Sequence, residues 1–272
     1  MSYFLEPLHY EFIWRALLCS ALVGGLCGLL SVFLLLKGWS LIGDALSHAV
    51  VPGVALAYLW ALPYGVGALS TGLLAGSAML LLRRLTRFKQ DAVIGFVFTS
   101  FFALGLFISS MYPSAVNLQA VIEGDILALD DGDMVQLLLV AVLALLFLAL
   151  KWRDLMLLFF DPVQAATCGL RVGPLRWTFF LLVSAAVVAA LQTVGAILVI
   201  ALLITPGATA YMLGRAFGAV LLWAFCIGTS TALIGTYASY FLNVNTGAAV
   251  VILQSLLFFT VLLARRLLRR RT

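Results

Sequence analysis

The chain has 272 residues, of which 64% are hydrophobic and only 10% charged, and its mean hydropathy is +1.17. A soluble domain carries about a quarter charged residues, so this composition excludes a water-soluble globular enzyme. The net charge of +5 does not point to nucleic acid, because the basic residues form short clusters beside apolar runs, where they report membrane orientation.

A helix of about 20 apolar residues crosses a bilayer. Read in chain order, such runs predict spans over residues 12–36, 41–62, 64–82, 92–112, 134–150, 177–193, 194–213, 216–242 and 247–264. The expected fold is all-α, a polytopic bundle in a single transmembrane domain over residues 1–272. The stretch 177–213 would extend about 55 Å as one helix, so a turn is expected near 192–195. The segment before Glu11 has no Lys or Arg, so it lacks the basic start of a signal peptide and the first span is expected to be retained.

Nine spans with the N-terminus outside gather Lys37, Arg83, Arg84, Arg87, Lys89, Lys151, Arg153, Arg171, Arg176, Arg215 and the arginines of the C-terminal tail on one side. Only Arg15 is left on the other. The positive-inside rule makes the first side cytoplasmic, with the C-terminus there. An eight-span arrangement with the N-terminus inside moves Lys37 outward and stands as the alternative.

Small residues recur within the spans, as at Gly24 and Gly28, between Gly65 and Gly76, and from Ala185 to Ala190. They permit close approach of helices. Pro206 and Gly207 interrupt the seventh span and predict a kink or gate there. Cys19, Cys27, Cys168 and Cys226 show no CxxC spacing and read as small packing residues.

Ionisable groups inside a membrane are costly and point to function. Asp44 and His48 are four residues apart, which on a helix places them on one face about 5 to 6 Å apart at Cβ. A carboxylate and an imidazole suit a divalent first-row metal; the plainer reading is a hydrogen-bonded pair that pins two helices. Two ligands do not complete a site, and a pseudo-twofold partner subunit is one source of two more. Metal binding by such a pair is expected to fall at acid pH, because only the neutral imidazole ligates.

The outer loop, 113–133, holds Glu123, Asp125, Asp130, Asp131 and Asp133 without a Lys or Arg, an acidic mouth that attracts cations. On the other side, within 154–174, Asp161 as N-cap, Pro162 at the first helical position and Gly169 past the end frame a short helix that fits a groove on a motor domain. None of the three lysines is followed by Ser or Thr, so the chain has no Walker A motif. Neither histidine belongs to an HExxH pattern, and no enzymatic chemistry is expected.

From Lys37 to Ala55 the sequence KGWSLIGDALSHAVVPGVA closely resembles the permeases of manganese, iron and zinc ABC importers, the ABC-3 family. Asp91 to Gly95, Gly124 to Leu127, Asp161-Pro162 with Gly169-Leu170, and Ala190 to Val199 running on to Thr205 to Ala210 extend the resemblance over nearly the whole chain. Within the family it is most like the manganese and chelated-iron branch. Asn243 and Asn245 stand where relatives commonly have Asp and Pro, and Glu123 stands where they have an aromatic residue.

The resemblance implies a permease of the type II importer fold in a bacterial inner membrane. It implies a second permease subunit, identical or paralogous, a cytoplasmic ATPase dimer, and an external solute-binding protein that delivers the metal. Asp44 and His48 are then the metal site for Mn²⁺ or Fe²⁺, with Zn²⁺ as an alternative. Asp161, Pro162, Gln164, Ala165, Gly169 and Leu170 belong to the coupling helix, and Asp125 is a candidate outer-face contact. No permanent cofactor is implied. A passive or proton-coupled carrier, with Asp44 as the proton site, is the alternative from another class.

Overall fold

A computed structural model describes residues 10–111 and 131–269. Asp125 and most of the outer loop lie outside the described residues. Among the described residues the chain forms α1 (Glu11–Leu36), α2 (Ile42–Ala49), α3 (Val51–Leu59), α4 (Tyr64–Leu85), α5 (Gln90–Met111), α6 (Asp131–Phe160), α7 (Pro162–Thr167), α8 (Val172–Val194), α9 (Ala196–Leu202), α10 (Thr205–Leu213), α11 (Phe217–Leu242) and α12 (Thr246–Arg269). They make nine helical segments long and apolar enough to cross a membrane, α2 with α3 and α9 with α10 each forming one. The chain is an all-helical, multi-pass membrane protein.

Proline chemistry explains both divided spans. Pro52 has no N–H for the His48 carbonyl four residues back, and the helix breaks at Val50. Pro206 likewise cannot bond to Leu202, which is the last residue of α9. The turn between α8 and α9 falls at Gly195, whose φ of 82° and ψ of 163° suit glycine.

The bundle is held by close backbone approach and by ring packing, because lipid offers apolar side chains no worse a home than protein does. α1 lies against α11 at Gly24 and Gly28, where an added methyl on Gly24 would strike the Gly228 carbonyl and one on Gly28 the Ala224 carbonyl. At the basic end of α1, Phe33 is fully buried. Its ring meets those of Phe159, Phe179 and Phe217 edge-on at 6.2, 5.8 and 5.5 Å, tying α1 to α6, α8 and α11. Trp39 continues this cluster, 4.6 Å from Phe180.

One boundary and one reading of the cysteines differ from the sequence-based expectation. The fifth span continues past residue 150 to Phe160, because Lys151 and Asp154 pair along the helix at 2.9 Å and Leu155, Leu158 and Phe159 are buried. Of the cysteines, Cys19 and Cys27 are buried as packing residues, but Cys168 and Cys226 are exposed. Cys226 faces outward from the bundle on α11.

Candidate metal site and coupling helix

α2 carries Asp44 in its first turn, where the helix dipole favours a carboxylate, and His48 in its last. His48 Nε2 lies 3.6 Å from Asp44 Oδ1. That is too long for a hydrogen bond, and near the roughly 3.0 to 3.4 Å that separates two ligands of one first-row ion. The side chains are 44% exposed for Asp44 and 27% for His48, so both remain open to an incoming ion although Ala45, Leu46 and Ser47 beside them are buried. The rings of Phe98 and Phe102 on α5 flank the imidazole at 5.4 and 5.5 Å and fix its plane. His48 Nδ1 is buried without a hydrogen-bond partner among the described residues, so ring packing takes the orienting role that a carboxylate or carbonyl commonly has.

The two divided spans meet at this site. Gly43, next to Asp44, lies under Leu203 at the junction of α9 and α10, where an added Cβ would come 2.6 Å from Leu203 Cδ1. Pro206 and Gly207 are buried one turn further on, with Gly207 packed against Ser31 of α1. Interrupted spans that touch near ionisable groups are the arrangement from which membrane transport sites are built. The sequence singled out Asp44, His48, Pro206 and Gly207 separately; the fold brings their helices together.

Sequence reasoning passed over Gln136, and took Gln192 only as the start of the expected turn. Gln136 Nε2 donates to Gln192 Oε1 at 3.0 Å, linking α6 to α8 beside the Gly195 turn, and Gln192 Nε2 is buried without a partner. An amide in an otherwise apolar span was the available signal. Among the described residues no three His, Cys, Asp or Glu side chains gather into one cluster. Asp44 and His48 therefore offer two donors to a candidate site within the described chain.

α7 has a cap at each end. Asp161 Oδ1 accepts from Val163 N at 2.9 Å and Gln164 N at 3.1 Å, and Pro162 occupies the first turn. At the far end Gly169 has φ +80°, with Gly169 N bonded to Ala166 O and Leu170 N to Ala165 O, the Schellman pattern. Ala165 is fully buried, so it seats the helix on its own chain. Gln164 and Gly169 are exposed, Pro162 and Leu170 half-buried, and Val163 is 72% exposed, so the outward face is carried mainly by Val163, Gln164, Ala166 and Thr167.

This bundle of paired and interrupted spans is that of an ABC importer permease. The chain belongs to the ABC 3 transport family, which matches residues 9–265. It is 50% identical to the chelated iron transport system membrane protein YfeC of Yersinia pestis, over 93% of this chain and 86% of that protein. It is 43% identical to the manganese transport system membrane protein MntB of Synechocystis, over 93% and 83%. Among solved structures, a chain of PsaBC from Streptococcus pneumoniae in complex with Fab superimposes with a TM-score of 0.83 at 32% identity, covering 96% of this chain and 94% of that one.

Proposed function

We propose that this chain is the membrane-spanning subunit of an ATP-driven importer of a divalent transition metal, manganese or ferrous iron, in a bacterial cell membrane. The observation that carries the reading is the open Asp44/His48 pair on a divided span, packed at Gly43 against the break in a second divided span. The iron and manganese transport relatives support the cargo.

In this reading an external binding protein docks on the outer loops and releases the ion into the bundle. Asp44 and His48 supply one oxygen and one nitrogen; a second permease subunit, or water, supplies the rest. The exposed face of α7 seats in a cytoplasmic ATPase dimer, and its movement is transmitted through α6 and α8, which flank α7 in the chain. The breaks at Val50 and Leu203 let the halves of the second and seventh spans tilt separately, so the site opens to one side and then the other. The α7 end is cytoplasmic in this reading and the N-terminus external, which the concentration of Lys and Arg at that end supports.

Uptake of radiolabelled manganese into proteoliposomes containing this chain with its ATPase and binding protein tests the reading. Uptake should require ATP and be competed by iron. Uptake that ignores ATP would favour a carrier and remove the importer assignment.

A further inference from the structure

At the basic end of the bundle, cations from three spans converge without an anion to answer them. Arg83, near the end of α4, has its Cζ 5.1 Å from the centre of the Trp39 ring. Arg84 stands 5.6 Å over Trp177 of α8. Lys37, just past α1, is held below the usual lysine range by burial, then by Arg83 and Arg176. None of Lys37, Arg83, Arg84 or Arg176 has a carboxylate within 4.0 Å among the described residues.

Two donors in this cluster are also unused. Trp39 is only 1% exposed, and its indole Nε1 has no hydrogen-bond partner among the described residues. Arg83 Nη1 is buried and unpartnered in the same way. A buried donor without an acceptor costs about 1–3 kcal/mol, more when charged, and gathered cations repel. An oxyanion seated here would remove both costs.

We propose that Lys37, Trp39, Arg83 and Arg176 form a binding site for the phosphate headgroup of an anionic membrane phospholipid. The apolar surface beside the cluster favours lipid over a carboxylate of a partner protein. Leu81 and Leu85, on the same two turns of α4 as Arg83, are 51% and 72% exposed apolar side chains, so the hydrocarbon reaches the level of the guanidinium. Trp177, half-buried in the first turns of α8, has the placement of an indole at a bilayer boundary. The guanidinium fork and an indole N–H match phosphate oxygens, and basic pockets between spans on the cytoplasmic side are the known form of acidic headgroup sites. The lipid would link α1, α4 and α8 at their ends.

Native mass spectrometry of the full chain in non-ionic detergent tests this, with phosphatidylglycerol, phosphatidylcholine or inorganic phosphate added. The wild type should retain phosphatidylglycerol in preference to phosphatidylcholine, and millimolar inorganic phosphate should not displace it. Arg83→Gln with Arg176→Gln should weaken retention about thirtyfold, and Lys37→Gln alone about fivefold. Arg265→Gln with Arg266→Gln, at the C-terminal end of α12, should change nothing. The single Lys37 variant keeps the test usable if the double variant does not fold. Equal retention of both lipids by the wild type, or unchanged retention in the variants, would overturn the proposal. Displacement by inorganic phosphate would also overturn it, making the site one for free anion.

Discussion

Asp44 and His48 face the same space from successive turns of α2, 3.6 Å apart at Oδ1 and Nε2, and the proline that ends their helix is Pro52, four residues beyond His48. The break itself falls at Val50, two residues past the imidazole. Because proton and metal compete for the same nitrogen lone pair, manganese binding to the purified chain should weaken on acidification. In His48→Asp this acid sensitivity should be reduced, because the competing imidazole nitrogen is gone. Equilibrium binding of radiolabelled manganese at several pH values checks it, and an unchanged pH profile in the variant would remove His48 from the site.

The approach of α1 and α11 through Gly24 and Gly228 leaves no room for a side chain. Gly228→Leu should therefore cost about 1–3 kcal/mol by forcing the two backbones apart. Gly95, which has open space at its Cβ position, should accept Ala without loss. Unfolding titrations in detergent would show whether the two sites differ in this sense.

Lys37 loses its proton more readily in the folded chain than when unfolded, because burial and then Arg83 and Arg176 disfavour its charge. Between the folded and unfolded pKa values the unfolded chain binds more protons, so stability should rise with pH across that alkaline window. Below it the charged Lys37 opposes folding. Lys37→Met should accordingly be at least as stable as the wild type near neutral pH in detergent free of anionic lipid, and its stability should depend less on alkaline pH. Thermal midpoints measured as a function of pH provide the comparison.

On α7 the cap and the contact face are separable. Asp161→Ala removes both N-terminal hydrogen bonds and should cost this helix about 1 kcal/mol. Val163→Arg alters only an exposed position and should leave stability within about 0.5 kcal/mol. Both should lower transport while leaving manganese binding intact, and Val163→Arg should reduce co-purification of the ATPase. Normal transport by Val163→Arg would argue against this face as the coupling surface.

The spans were legible because lipid imposes one rule on every crossing, a long apolar helix. The Gly195 turn and the Pro206 break could be read for the same reason, since each residue acts locally on the backbone. The break at Val50 was equally local, through Pro52, yet the hydropathy of 41–62 is continuous and concealed it. The extension of α6 to Phe160 was hidden by Lys151, Arg153 and Asp154, whose charges mark the membrane boundary and not the end of the helix.

Of the candidate site, Asp44 and His48 stood out as ionisable groups in an apolar span, and their spacing gave the shared face. That Gly43 would rest beneath Leu203 depends on packing between helices 160 positions apart in sequence, which no local pattern records. The Gln136–Gln192 bond was missed for the same reason. Trp39 and Arg83 were visible only as an aromatic residue and a topology marker until the fold placed one over the other.

The most direct test of the account is ATP-dependent manganese uptake by proteoliposomes containing wild type or His48→Ala, each with the same ATPase and binding protein. The account predicts uptake by the wild type only with ATP, and a loss of at least about tenfold in the variant with the protein still folded and the ATPase still bound. Uptake by His48→Ala equal to wild type would show that the Asp44/His48 pair is structural and that the metal crosses elsewhere.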